Sequence, residues 1–309
     1  MKPRENRHTT EPWPVRWLLI GIAVVYMALF LLLPLILVFY QAFEKGFGEY
    51  WSVLCRQDTI RAILMTLTTV AIAVPANVLF GLVAAWCIGK FQFWGKSFLV
   101  SLIDLPFAVS PVIAGLLFVI LFGLRSPLGA WLDSVGIRIV YSTAGAVLAT
   151  MFVTFPFVAR ELIPIMQAQG TEEEQAARVL GANGLQIFFR VTLPNIKWAL
   201  LYGIILCNAR AMGEFGAVRV VCSGGKSNTM PILIEELYHG SNPVAPFAVS
   251  TLLALVAILT LVLKTIIEKK TLEKENVERE NYDRECLERE LAAEGSGGDA
   301  APEIHGGHS

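Results

Sequence analysis

Arg210 and Glu214 stand four positions apart in a segment of otherwise small and apolar residues, Asn208-Ala209-Arg210-Ala211-Met212-Gly213-Glu214-Phe215-Gly216. On a helix that spacing puts both charges on one face, where they can neutralise each other. Within a bilayer a charge is costly unless it is paired or hydrated. The pair then has two readings. One is a static brace inside a helix bundle; the other is a path lining in which Asn208 and Arg210 offer donors to a passing dianion. Guanidinium matches an oxyanion in geometry as well as charge, and a partly neutralised arginine suits a conduit better than a receptor that must retain its ligand. Ser110, with Pro106 and Pro111 around it, is a second candidate. Each proline removes a backbone donor and distorts the helix, and the freed carbonyls need other partners or water. Such broken helices line transport cavities, although a kink for packing fits equally. Nearby Asp104 is a second candidate ionisable residue, with contact to interfacial water the favoured reading.

Other chemistries find little support. Cys55, Cys87, Cys207, Cys222 and Cys286 form no CxxC pair, and the four histidines are equally dispersed, so neither a zinc site nor a disulfide framework is expected. No Ser/His/Asp arrangement suggests an enzyme. Gly224-Gly225-Lys226-Ser227 resembles the end of a phosphate loop, but the position that needs the first glycine is Val220. The expectation is therefore no catalytic residue, no metal, no cofactor and no ATP site in this chain. A formal net charge of −1 leaves no basic excess for nucleic acid.

The elements that would position these residues are membrane helices. The 309 residues are 55% apolar and only 17% charged, against about a quarter in soluble domains. Six stretches are long and apolar enough to span a bilayer: 17–40, 62–88, 98–122, 143–165, 197–221 and 247–267. The fifth is the weakest because it holds Arg210 and Glu214. The first is too long for a cleavable signal and lacks a small-residue cleavage site, so it reads as an uncleaved anchor. Placing both termini in the cytoplasm leaves only Lys45, Arg56, Arg61, Arg125, Arg138, Arg219 and Lys226 outside, a positive-inside bias. The chain divides into a cytoplasmic N-terminus (1–16), a first span with its outer loop (17–61), a core (62–267) and a charged cytoplasmic tail (268–309). The tail continues as a solvated helix and ends in a flexible Gly/Ser/Ala-rich stretch.

The longest inner loop, 166–196, is patterned. Thr171-Glu172-Glu173-Glu174 fits a capping box with Thr171 as cap. A helix follows to Gly181, Asn183-Gly184 supplies a turn, and a second short helix from Leu185 stops at Leu193-Pro194. The pair predicts a helix-turn-helix at the cytoplasmic membrane surface. Gln175-Ala176-Ala177, then Gly181, then Val191-x-Leu193-Pro194 resembles the EAA loop of permease subunits of ABC importers, with Gln175 in place of the glutamate and acidic Glu174 one residue earlier. The small alanines allow close approach of a partner and the glycine a sharp reversal.

The fifth-span segment 208–218, Asn228-Thr229-Met230-Pro231, Glu235-Glu236-Leu237-Tyr238 and Leu105-Pro106-Phe107-Ala108-Val109-Ser110-Pro111 resemble the sulfate and molybdate permeases, and within them the CysW-type subunits. The resemblance covers about residues 15–267. It implies an all-α membrane protein with six transmembrane helices and the type I ABC importer permease (MetI-like) fold, in the bacterial inner membrane. It further implies a CysT-like sister permease, CysA-like ATPase subunits that supply ATP and Mg, and a periplasmic sulfate/thiosulfate-binding protein. The coupling loop would be 167–194, carried by Glu174, Gln175, Ala176, Ala177, Gly181, Leu193 and Pro194. The path would run past Ser110, Asn208, Arg210 and Glu214. Molybdate import is the alternative within the class. An ion-gradient secondary transporter or channel, or a membrane scaffold, are alternatives outside it; the absence of an evident internal repeat weakens the former.

Overall fold

A computed structural model describes residues 13–222, 228–240 and 242–263, with positions 265, 266, 269 and 284 of the tail. The phosphate-loop look-alike at 224–227, Cys286 and nearly all of the charged tail lie outside the described residues. Every regular element among the described residues is helical.

Helix α1 (Trp13–Phe43) is apolar on all sides and buries nothing along its best membrane window, as suits a helix surrounded by lipid. A π-helical turn at Ala28–Leu32 precedes Leu33-Pro34, where the Leu33 amide reaches back to the Ala28 carbonyl. The wider turn accommodates a proline that can donate no hydrogen bond of its own. Short α2 (Phe47–Leu54) leads into α3 (Gln57–Lys90), the longest helix. Next come α4 (Lys96–Ala108) and α5 (Pro111–Phe122), then the short α6 (Pro127–Ser134) and α7 (Thr143–Ala168). The loop helices α8 (Glu172–Val179) and α9 (Gly184–Ile187) precede α10 (Leu193–Met212). The chain continues as α11 (Gly216–Cys222), α12 (Met230–Tyr238) and α13 (Val244–Leu263).

Among the described residues four helices, α1, α3, α7 and α13, are long and apolar enough to cross a membrane. The pair α4–α5 makes a fifth if it is one bent span, its halves meeting at 106°. The third span, expected over 98–122 with a proline distortion around Ser110, is two helices broken at Val109-Ser110, where Pro111 starts the second. The fifth is corrected. It was expected as one helix over 197–221, but it starts at Leu193, ends at Met212 and resumes at Gly216. Asn195, Lys197, Asn208 and Arg210 keep α10 outside the apolar set.

Side-chain registers give the helix directions. Asn77 of α3 meets Met151 and Thr154 of α7, while a Cβ on Gly81 would lie 2.8 Å from Val158 and one on Gly89 2.7 Å from Met166. Positions climb together, so α3 and α7 run parallel, as alternate spans must. Positions on α10 descend against α7: Cys207 meets Thr154 and Gly203 faces Val158. Those two are antiparallel neighbours. Small residues let α3 and α7 backbones approach closely, the usual means of helix association in lipid. Val70, Val74, Val158, Leu162, Met166 and Ile196 fill the space between the three helices. One end of this bundle carries the loop 169–183 beside Lys90; the other carries α2 and α12, tied by Tyr50 to Thr251 and by the Met230 amide to Thr66.

Candidate functional site

Helix α8 begins with three glutamates, which suit the positive end of its dipole. The expected capping box at Thr171 does not form, because Glu174 turns inward instead. Its carboxylate stands 3.1 Å from Lys90 Nζ at the end of α3 and accepts a 2.7 Å hydrogen bond from Thr192 Oγ1 just ahead of α10. The Lys90 side chain is only 6% exposed and also donates to the Gly170 carbonyl. Glu173 accepts from Asn195, and Gln169 donates to the Asn195 carbonyl at 3.2 Å. Glu174 thus clamps the loop to two membrane helices. Gln175, which occupies the glutamate position of the EAA pattern, merely donates to Thr171 Oγ1 at the surface.

The helix end is built as expected. Gly181 takes φ +87°, its amide donating to Arg178 and the Ala182 amide to Ala177, which makes a Schellman cap. A true capping box sits one helix later: Asn183 Oδ1 accepts from the Gln186 amide and Gln186 Oε1 from the Asn183 amide, both at 2.9 Å. The second loop helix does not stop at Leu193-Pro194, another correction. It passes through a π-helical turn, Phe188–Thr192, straight into α10, by the same device that carries α1 past Pro34. Ala176, Ala177 and the turn leave large apolar side chains in the open: Val179 is 88% exposed, Leu180 87% and Leu185 73%. A patch of that kind on a loop marks a contact surface.

In the fifth span Arg210 Nη1 lies 2.6 Å from Glu214 Oε2, so the four-residue pairing forms, although across a helix end rather than along one helix. The other oxygen of Glu214, a buried residue, accepts from the Ala217 amide at 3.0 Å and so caps α11. Asn208 is half-buried and makes only a long contact with Met212 Sδ. Ser110 is exposed at the break between α4 and α5. The two helix breaks meet there: a Cβ on Gly216 would lie 3.1 Å from Pro111, and one on Gly115 2.7 Å from the Ala217 carbonyl. The structure therefore brings the Ser110 and Glu214 breaks side by side. A cavity of about 250 Å³ opens next to them between Ala209, Met212 and Gly213 and the α13 residues Leu253 to Thr260.

Sequence reasoning missed the partner of Asp104. With its side chain still 36% exposed, it forms a 2.8 Å ion pair with Arg160 of α7, and the guanidinium also lies 4.9 Å from the Phe107 ring centre. It also missed a cavity of about 940 Å³ at the opposite end from the loop, between α5, α6 and residues 137–142, with Arg125, Asp133 and Arg138 in its lining. The ion pair joins residues 56 apart, which no local spacing reveals, and the cavity forms where residues 119–142 fold back on themselves. Among the described residues no cluster of three or more His, Cys, Asp or Glu could hold a metal.

The arrangement is a membrane bundle with a surface loop clamped to two of its helices, and residues 54–273 match the model of the binding-protein-dependent transport system inner membrane component family. The chain belongs to that family. It is 49% identical over 256 residues to the sulfate transport system permease protein CysW of Synechocystis, covering 82% of this chain and 93% of that one. Identity to the Escherichia coli protein of the same name is 49%, over 81% and 86% of the two chains. To the chloroplastic sulfate permease 2 of Chlamydomonas reinhardtii it is 47%, over 81% and 68%. A bacterial alginate ABC transporter in complex with its periplasmic protein contains a chain of the same fold, with a TM-score of 0.67 at 17% identity, covering 84% of this chain and 96% of that one.

Proposed function

We propose that this chain is the CysW-type membrane permease subunit of an ATP-driven sulfate/thiosulfate importer. The observation that carries the reading is loop 167–194, an exposed apolar face anchored through Glu174 to α3 and α10. Near-half identity to sulfate permeases over most of their length supports the substrate. The loop docks on a separate CysA-like ATPase, and closure of the ATPase dimer, transmitted through Glu174, Gly181, Leu193 and Pro194, shifts the permease between two packings. Six crossings follow if α4–α5 and α10–α11 each count as one. Both termini then lie in the cytoplasm with the loop, the 1–16 and 268–309 segments flanking the membrane core. The periplasmic sulfate-binding protein docks at the opposite end, and a CysT-like sister, for which relatives 36% identical give a precedent, completes the path. Ser110, Asn208, Arg210 and Glu214 line it.

The test is radiolabelled sulfate uptake in cells lacking the gene, complemented with the intact protein or with Gly181→Asp. Restoration by the intact protein alone, with both present in the membrane, supports coupling through the loop. Equal restoration defeats that role. If neither restores uptake, sulfate is the wrong substrate, and molybdate uptake decides between the two oxyanions. Uptake that persists without an ATPase subunit, and collapses with an uncoupler, would instead identify a gradient-driven transporter.

A further inference from the structure

We propose that Arg160, held by Asp104, is a second anion station on the inner half of the translocation path; the inference rests on the importer reading above. Depth comes first. Asp104 lies eight residues into α4 from Lys96, and Arg160 eight residues before the end of α7 at Ala168, so each is about 12 Å from the loop-side end of its helix. Counted from the inner ends of the spans 98–122 and 143–165, they lie about 9 and 8 Å inside a bilayer core of about 30 Å. Exposure comes second. The Arg160 side chain is 56% exposed and that of Asp104 36%, in contrast to buried Glu214 at the outer pair. A half-open ion pair at this depth faces either water or protein, because hydrocarbon cannot solvate it. The α5 face shows what lipid contact looks like in this chain: Val112, Ile113, Leu116, Leu117 and Ile120 are all exposed and all apolar.

Register then gives the spacing of the two arginines along the bundle axis. Cys207 is level with Thr154 and Gly203 with Val158, so Arg210 is level with Met151, nine residues and about 13 Å outward of Arg160. Each arginine has one carboxylate partner and open surface on its guanidinium: Glu214 for the outer, Asp104 for the inner. Phe107 lies 4.9 Å under the inner guanidinium, which donates through Nε to Asp104 and keeps its Nη groups for another acceptor. Two such groups in series let a dianion pass from one partly neutralised cation to the next. Neither holds it alone.

Two measurements on the assembled transporter test this. Cysteines placed singly at 104 and 107, which leave Arg160 in place, in a background with the native cysteines replaced by alanine, are treated in inside-out and right-side-out vesicles with an anionic, membrane-impermeant methanethiosulfonate. Reaction slowed at least threefold by sulfate is expected. No reaction from either side, while a cysteine at exposed Leu180 reacts, overturns the proposal and assigns the face to lipid or to the sister subunit. In the second, Arg160→Gln lowers sulfate uptake by about tenfold or more, the scale of one charge-assisted hydrogen bond, while receptor-stimulated ATP hydrolysis persists. The exchanged pair, Asp104→Arg with Arg160→Asp, restores a mere brace but not a station, so full recovery of uptake in it counts against the proposal. Should Arg160→Gln fail to assemble, Arg160→Lys keeps the charge and is expected to transport at an intermediate rate; a normal rate overturns the station. A wild-type transporter that moves no sulfate defeats the substrate reading, whereas normal uptake by Arg160→Gln defeats this inference only.

Discussion

Glutamine at position 174 keeps an acceptor for Thr192 but removes the carboxylate 3.1 Å from an ammonium that is only 6% exposed. Removing one partner of a fully buried pair costs about 3–5 kcal/mol, because the other charge is left desolvated. Here the Glu174 side chain is 17% exposed and Lys90 keeps the Gly170 carbonyl, so about 2 kcal/mol is expected. Amide exchange across α8 in the purified transporter should therefore quicken by about 30-fold in Glu174→Gln. Lys90→Met alone leaves the carboxylate without its cation, while the double variant removes both charges and should recover most of the protection. Gln175→Ala, which loses one exposed hydrogen bond to Thr171, should change exchange by less than about threefold. A coupling energy between positions 90 and 174 below about 0.5 kcal/mol would refute the clamp. So would a Gln175→Ala effect larger than that of Glu174→Gln.

Three further outcomes follow from local geometry. No atom lies within 4 Å of a Cβ added to Gly181, so Gly181→Ala should cost only its left-handed strain, about 1–2 kcal/mol in the exchange of the Gly181 and Ala182 amides, and Gly181→Asn clearly less; equal effects would show that the cap is not left-handed. Gly81→Ala drives a Cβ to 2.8 Å from Val158 and should lower the thermal midpoint by the equivalent of about 1–3 kcal/mol, partly regained with Val158→Ala. Arg210→Gln keeps the Glu214 cap on Ala217 but leaves a carboxylate only 1% exposed without its cation, so stability should fall by about 3 kcal/mol and sulfate uptake per assembled transporter by about tenfold or more; normal uptake would make the pair a brace.

The spans at α1, α3, α7 and α13 were legible because bilayer thickness imposes a length that composition cannot disguise. The break at Ser110-Pro111 was legible too, since proline announces itself. The break at Gly213 was not: a charged pair four residues apart reads as a continuous helix, whereas Glu214 in fact gives its second oxygen to the next helix. The misplaced cap has a similar cause. Thr171-x-x-Glu174 and Asn183-x-x-Gln186 satisfy the same rule locally, and only Lys90, 84 residues earlier, draws Glu174 away. Asp104 and Arg160, 56 residues apart, stayed apart on paper for the same reason.

The unbroken run from Gly184 through the π-helical turn to Met212 makes a single rod of about 43 Å. Gly203, set against the α7 backbone at Val158, is where a see-saw would balance. The arm toward the loop is about 28 Å and the arm toward Met212 about 13 Å. A tilt of about 5° then swings the loop end by about 2.5 Å and the Met212 end by about 1.2 Å in the opposite sense, by the arithmetic of helical rise. Whatever presses on Leu185 and Phe189 from outside the membrane is geared down, and reversed, where it reaches the two adjoining breaks.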